Sequence, residues 1–391
     1  MENFTFYSPT YFDFGRGTEK DTGKLVNRFG GSKVLLHYGG GSIKKSGLYD
    51  RVVASLKAEG VDFVELGGVK PNPRSGLVYE GIELARKEKV DFILAVGGGS
   101  VIDSSKAIAA GVCYDGDFIE FYRSRIVVEK ALPVGVVLTI AAAGSEGSPN
   151  TVITDEETKI KSGATGEVLR PAFAIMNPEL TFTLDPYQTA AGATDIMIHI
   201  CERYFSNTPE CTTTDRLCEA LLKTMAYETP RVIQKPDDYE ARANIMWAGM
   251  VAHNNICGVG REQDWASHHL EHELSALYDV THGAGLAVIA PAWMKHCVAT
   301  HPEKFIPFAT EVWGVPFDSI NPMQTALEGI KRFRDFLDSI GMPASFSQIG
   351  AKKDDIPVMV DRIFAKKETE GHYIELTKED VTSIYNMVAD A

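Results

Sequence analysis

The first half of this chain alternates in a way that leaves few folds open to it. Short β-branched and aliphatic runs, KVLLHY (33–38), DFVEL (62–66), DFILAV (91–96) and VGVVLT (134–139), are separated by helix-length amphipathic stretches. Alternation of that kind predicts a parallel sheet with helices packed on its faces. In LYDRVVASLKAEG, Leu48, Val52, Val53 and Leu56 recur at helical spacing, and Gly60 is placed to end the helix. The proline-rich VKPNPRSG (69–76) reads as the loop before the next helix.

After about Pro186 the character changes. The segments 187–205, 212–233, 239–257 and 264–278 carry helical periodicity, and candidate strands become scarce. A chain of 391 residues is too long for one ordinary core and comfortable for two. The expectation is therefore an α/β domain over 1–186 and an all-helical domain over 187–391, with MNPELTFTLDP (176–186) as the hinge.

Composition excludes several classes of function. At 44% hydrophobic and 24% charged the chain is ordinary for a globular protein, and no apolar run has the length of a membrane span. The opening MENFTFYSPTYFDFG lacks the basic and apolar segments of a secretion signal, so a cytoplasmic location is expected. A net charge of −14 disfavours a surface that neutralises phosphates, and nucleic acid is not expected as a partner. The six cysteines are scattered with no CxxC pair, which predicts reduced, mostly buried thiols.

Two glycine turns carry the first chemical signal. Gly97, Gly98, Gly99 and Ser100 follow the run DFILAV directly and open the helical stretch VIDSSKAIAAG. Glycines at a strand-to-helix turn let the backbone approach a phosphate, and the first helical amides then face the anion. The GxGxxG fingerprint is absent, so the turn is not the usual dinucleotide motif. An earlier turn, Gly39, Gly40, Gly41 and Ser42, follows KVLLH without the acidic residue that NAD-binding enzymes place there for the adenosine ribose. With Lys44 and Lys45 close behind, this turn predicts a preference for NADP over NAD.

The second signal is a concentration of histidine. Asp195 and His199 lie four apart in AGATDIMIHICERYF, on one face of a helix and one turn apart. In DWASHHLEHELSALYDVTHGAG, His268 and His272 are four apart, His269 is rotated away, and His282 stands immediately before a glycine. A lone histidine on a helix is commonly structural, but four of ten within fifteen residues, beside an Asp/His pair on another helix, predict a metal site. One carboxylate and three imidazoles suit Fe2+, Zn2+ or a similar divalent ion in an open, catalytic site. The metalloprotease signature HExxH is missing.

These motifs together resemble the iron-containing (group III) alcohol dehydrogenase family, most closely its butanol dehydrogenase and NADP-dependent aldehyde reductase branch. The resemblance covers nearly the whole chain: PTYFDFGRG (9–17) is similar to the entry strand, GGGSVID to the pyrophosphate turn, AGSE (143–146) to the second cofactor loop, and DIMIHICERY with HHLEHELSALYDVTH to the metal helices. It implies a Rossmann-like dinucleotide-binding domain followed by an all-α metal-binding domain, the dehydroquinate synthase-like architecture. It implies Asp195, His199, His268 and His282 as metal ligands, and His272 as a group beside the nicotinamide that relays a proton. It implies cofactor contacts from Gly98, Gly99, Ser100, Asp103, Thr139, Ser145 and Lys161, with Gly39 to Ser42 matching the turn of NADP-using members. Two positions depart from the pattern: Ala143 stands where a threonine hydroxyl is common, and Asn177 where Asp-Pro is usual.

The mechanism implied is hydride exchange between nicotinamide and a short aliphatic alcohol or aldehyde whose oxygen the metal polarises. A homo-oligomer, a dimer, is implied by the same resemblance, with segment 1–15 offering a strand to a neighbour. Two rivals remain. A polyol-phosphate or glycerol dehydrogenase, or a dehydroquinate synthase-like cyclase, would want basic residues near the metal, for which Arg261, Lys295 and His296 are the candidates; a nucleotide or metal sensor would bind without turnover.

Overall fold

Strand β4, Phe92–Gly97, is buried along its whole length, and a strand with no solvent face must be covered by helices on both sides. The computed structural model describes residues 1–124, 126–365 and 367–390. Two compact units are formed, one from Tyr7–Leu184 and one from Met1–Phe6 with Asp185–Ala391.

The first unit is built on a six-stranded sheet in the order β1-β8-β5-β4-β2-β3, every pairing parallel. Its strands are β1 (Tyr11–Phe14), β2 (Lys33–Tyr38), β3 (Asp62–Leu66), β4, β5 (Val134–Leu138) and β8 (Phe173–Met176). The four expected runs are four of these strands, within a residue of where periodicity put them. Helices α1 (Thr22–Arg28), α2 (Ser42–Lys45), α3 (Leu48–Ala58), α4 (Ser75–Glu88), α5 (Gly99–Val112) and α6 (Glu120–Arg123) complete the unit. Leu48, Val52 and Leu56 of α3 are buried against Val34, Leu36 and Phe92, and each such side chain contributes about 1.5–3 kcal/mol by leaving water. Gly60 takes a positive φ of 68° just after α3, as expected of a helix-ending glycine.

A two-stranded antiparallel hairpin, β6 (Asn150–Asp155) with β7 (Ile160–Thr165), was not anticipated. The segment expected as the hinge carries local structure: Met176 closes β8, and Pro178–Thr181 forms a 3-10 turn capped by Asn177, whose Oδ1 accepts from Glu179 N at 3.0 Å. Asn177 also donates from Nδ2 to Glu19 Oε2 at 2.8 Å. An aspartate there would set one carboxylate against another, which accounts for the departure from the Asp-Pro pattern.

The second unit is helical. Its first five long helices are α7 (Pro186–Tyr204), α8 (Thr212–Gln234), α9 (Tyr239–His253), α10 (Ala266–Tyr278) and α11 (His282–Cys297). Asp185 caps α7, its carboxylate accepting from Gln188 N at 2.7 Å, and Pro186 occupies the first helical position where its missing N–H costs nothing. α9 stops at His253 rather than running to 257, because Asn255 adopts a left-handed φ of 83°. Residues 1–6 belong to this unit: Glu2 N donates to Gly260 O at 2.8 Å, and Thr208 Oγ1 to Glu2 Oε1 at 2.8 Å. Tyr11–Phe14 pairs with β8 of its own chain. Among the described residues no helix is long and apolar enough to cross a membrane. All six cysteines are free thiols, five of them buried and Cys113 exposed.

Candidate active site

Asp195 and His199 sit on α7 one turn apart, as their spacing requires, and both are buried. His268 is buried on α10, and His282 is the first residue of α11. The three helices meet so that Asp195 Oδ1 lies 3.6 Å from His199 Nδ1 and 3.7 Å from both His268 Nε2 and His282 Nε2. Ligands at ordinary bond lengths around a tetrahedral ion stand about 3.4 Å apart, close to these spacings. Asp195, His268 and His282 each offer a ligand atom within 4.8 Å of the others. His199 joins them through Asp195 and by stacking its ring on His268, centroids 4.6 Å apart and 16° from parallel.

Asp195 Oδ1, His199 Nδ1 and His268 Nε2 are buried and have no hydrogen-bond partner. Leaving a buried polar atom unsatisfied costs roughly 1–3 kcal/mol, so three in one place point to a bound group that the fold is shaped to hold. Carboxylate oxygen and imidazole nitrogen are the donors a divalent ion of the Fe2+ or Zn2+ kind takes, so the residues present fit the metal.

Two carboxylates not singled out in the sequence orient the imidazoles. Glu202 Oε1 accepts from the His268 backbone N and lies 3.0 Å from His268 Nδ1, which leaves Nε2 turned toward Asp195. Glu271 Oε2 does the same for His282 Nδ1, and Ser275 Oγ donates to Glu271 Oε1. A carboxylate on the far nitrogen fixes the tautomer and the ring plane of a ligating histidine. Each acid lies three residues after a candidate ligand, Glu202 after His199 and Glu271 after His268, which is the only trace it leaves in the sequence.

Burial, with the rings of His253 and His268 and the Arg203 guanidinium close by, holds the His199 imidazole well below its ordinary range. Burial would also lower His268, but the Asp195 and Glu202 carboxylates on either side outweigh it and hold that ring at about 9. Arg203 is buried behind the site, donating to His199 O at 2.7 Å and lying 4.6 Å over the Trp265 ring. His272 is half-buried one turn beyond His268, its ring centroid 5.8 Å from that of His282. It stands beside the four converging residues.

Close packing sets His282 in place. A β-carbon at Gly283 would fall 1.9 Å from Ala191 O, and one at Gly285 would fall 2.7 Å from Glu271 Oε1. Both glycines are needed for α11 to begin this close to α7 and α10.

The expected cofactor residues gather at the carboxyl ends of three neighbouring strands, where ligands of open parallel sheets bind. Gly39 to Ser42 follow β2, Gly97 to Ser100 follow β4, and Thr139 follows β5, its N donating to Gly97 O at 3.0 Å. Gly97 and Gly98 are buried, Gly99 and Ser100 are partly exposed at the start of α5, and Gly40, Gly41 and Ser42 are exposed. A β-carbon at Gly99 would come 2.9 Å from that of Ala143, so the alanine packs on the turn where other chains place a hydroxyl.

Asp103 and Ser145 are brought together, but facing each other: Ser145 Oγ donates to Asp103 Oδ1 at 2.6 Å, and Val152 N donates to Oδ2 at 3.0 Å. Lys106, fully buried, donates to Ser145 Oγ and to the carbonyls of Ser145, Ser148 and Asn150 at 2.7–2.9 Å. These groups fasten α5 to the loop before β6. Lys161 is buried on β7, with Nζ 3.0 Å from Asn72 Oδ1.

The basic residues that a phosphate-bearing substrate would need are engaged elsewhere. Arg261 donates to Arg203 O and Cys211 O and pairs with Asp215 at 2.9 Å. Lys295 and His296 lie thirteen and fourteen residues along α11 from His282, about 20 Å away. His296 pairs with Asp380 at 3.1 Å.

Residues 9–178 match the model of a family described as iron-containing alcohol dehydrogenase, and residues 189–389 match the C-terminal model of the Fe-containing alcohol dehydrogenase family. The chain is 42% identical to the probable NADH-dependent butanol dehydrogenase 2 of Bacillus subtilis, over 98% of this chain and 99% of that one. It is 35% identical to the NADPH-dependent aldehyde reductase YqhD of Escherichia coli, with the same coverage. The crystal structure of NADH-dependent butanol dehydrogenase A from Thermotoga maritima superposes with a TM-score of 0.96 at 43% identity, over 100% of this chain and 99% of that one.

Proposed function

The chain belongs to the iron-containing alcohol dehydrogenase family, and we propose that Asp195, His199, His268 and His282 hold its metal, with short aliphatic aldehydes and alcohols of the butanal and butanol type as substrates. It is an oxidoreductase, a metal-dependent alcohol dehydrogenase or aldehyde reductase that works with a pyridine nucleotide. The observation that carries the site is the meeting of three partnerless buried atoms, Asp195 Oδ1, His199 Nδ1 and His268 Nε2, beside His282 Nε2. A divalent ion bound there supplies Lewis acidity toward the substrate oxygen, and the nicotinamide supplies or accepts the hydride.

The chain's own residues do the rest. Glu202 and Glu271 keep the His268 and His282 Nε2 atoms aimed inward. A His272 ring nitrogen passes the proton between the substrate oxygen and water. The amides of Gly99 and Ser100 at the start of α5 hold the pyrophosphate, and Gly97 and Gly98 let the turn pack, since β-carbons on them would fall 2.5 Å from Val101 Cγ2 and 3.0 Å from Ile140 Cβ. Asp103, Ser145 and Lys106 fix the loop beside it.

For the nucleotide the proposal is NADP, read by the open turn Gly39–Ser42, which carries no acid for the ribose, with Lys45 behind it; cells usually hold that cofactor reduced, which favours aldehyde reduction. A second reading, NAD, is favoured by the Lys44 ammonium standing 3.4 Å from Glu65 Oε2, already facing an acid. The same proposal has the enzyme working as a cytoplasmic homodimer, which sedimentation and cell fractionation test. The deciding experiment follows butanal-dependent oxidation of NADPH and of NADH by chelated protein reconstituted with Fe2+ or Zn2+. Metal-dependent turnover favouring NADPH supports the whole proposal, preference for NADH overturns the nucleotide assignment, and no turnover with either metal overturns the substrate assignment.

A further inference from the structure

At the end of β2, one acid on the neighbouring strand, Glu65, gathers the hydroxyls of Tyr38 and Tyr49 and the ammonium of Lys44. β2 and β3 pair with Leu36 opposite Glu65, and the chain beyond β3 is tied back to the turn, Gly68 N donating to Gly39 O at 2.8 Å and Val69 N to Tyr38 O at 3.3 Å. Glu65 is thereby fixed beside residues 38–42. Tyr38 donates its hydroxyl to Glu65 Oε2 at 2.6 Å and Tyr49 to Oε1 at 3.3 Å. Lys44 Nζ stands 3.4 Å from Oε2, 5.0 Å from the Tyr38 ring centroid and 4.7 Å from that of Tyr49. The two rings meet edge to face at 6.0 Å and 69°, forming two walls about the ammonium.

We propose that Glu65 limits the preference of this enzyme for NADP by holding Lys44 away from the 2′ position of the adenosine ribose. The inference rests on the reading that the adenosine end of the cofactor lies at Gly39–Ser42. A 2′-phosphate there must draw Lys44 off a carboxylate that is also hydrogen-bonded to two tyrosines, and it meets the Glu65 charge as it does so. A free 2′-hydroxyl does neither. The Tyr38 hydrogen bond holds the Glu65 carboxyl below its ordinary range, so the opposing charge is present throughout the working pH range. Lys44 is thus a cation supplied by the turn and withheld by the strand beside it.

The test measures equilibrium affinities of NADPH and NADH for the metal-loaded full chain by nucleotide fluorescence. Glu65→Gln is expected to tighten NADPH roughly fivefold to tenfold at low salt and to leave NADH within about twofold, the gain fading toward 0.5 M salt as the released charge is screened. Adding Lys44→Ala should erase that gain, whereas Lys44→Ala alone should weaken NADPH by less than about twofold, because the lysine is already engaged. Equal changes for both nucleotides in Glu65→Gln would show a merely structural acid, and a large NADPH loss in Lys44→Ala alone would show a lysine that was never withheld; either overturns the proposal. Gly40→Asp checks the underlying reading: it should weaken NADPH tenfold or more. If Gly40→Asp shifts NADPH while Glu65→Gln does not, the proposal alone fails. If Gly40→Asp moves neither nucleotide, the adenosine is not at the turn and the reading fails with the proposal.

Discussion

Gly283 lies so close to Ala191 that a β-carbon on it would fall 1.9 Å from the Ala191 carbonyl oxygen. That oxygen belongs to α7, one turn before Asp195, and Gly283 follows His282 directly, so the approach of two backbones fixes the distance between two candidate ligands. Gly283→Ala must push the start of α11 outward by more than an ångström. Overpacking of this kind costs about 1–3 kcal/mol, too little to unfold a unit of this size. The variant is expected to keep its circular dichroism spectrum while binding metal at least tenfold more weakly, read by competition with a chelator. Unchanged metal affinity would remove His282 from the ligand set.

Glu202→Gln and Glu271→Gln leave every proposed ligand in place and remove the charge that the His268 and His282 Nδ1 atoms face. Replacing such an orienting carboxylate typically costs tenfold to a hundredfold in metal affinity or activity. Each variant should fall in that range by metal titration. A loss below twofold in both would mean that the rings are held by packing alone.

His272→Ala should lower turnover tenfold or more, with bound metal nearly unchanged, because His272 stands beside the convergence and not within it. Elemental analysis with steady-state rates separates the two effects. Loss of the metal in this variant would exchange the assignments of His272 and His268.

Glu146 is buried, and that burial pushes its carboxyl up to about 7 from 4.5. Between those values the folded protein keeps a proton that the unfolded chain releases, so this group's contribution is fully present below about pH 4.5 and is lost as pH rises through 7. Glu146→Gln cannot titrate. The melting temperature of the variant relative to wild type should therefore rise by several degrees between pH 5 and pH 8. A difference that stays level across that range would show that Glu146 does not titrate there.

What the sequence disclosed and what it withheld divide along a physical line. Strands such as 33–38 and 91–96 were legible because continuous apolar runs have no other use in a chain of this composition. The hairpin 150–165 was not, because its second strand, Ile160–Thr165, holds a lysine, a serine, a glycine and a threonine among six residues, and reads as surface. Asp195, His199, His268 and His282 stood out because histidines crowd together in one stretch and helical spacing places Asp195 with His199. Glu202 and Glu271 did not, since an acid on a helix is usually solvated and only the packing of α7 against α10 and α11 reveals them as buried. The turn at 39–42 was read from what it lacks; Glu65 could not be read at all, because its bearing on Lys44 depends on strand register and not on distance along the chain.

The placement of residues 1–6 bears on the order in which the molecule assembles. Glu2 closes its contacts on Thr208 and Gly260, across loops of more than two hundred residues, whereas residues 7–184 contain every strand of the parallel sheet. During synthesis the sheet unit can be completed while the segment made before it still has no surface to dock on, and closing so long a loop gains nothing until the loops carrying Thr208 and Gly260 exist. Residues 1–6 are thus made before the sheet and find their place only after it, so a weakened dock at Thr208 or Gly260 would burden the late assembly of the helical unit rather than the early assembly of the sheet.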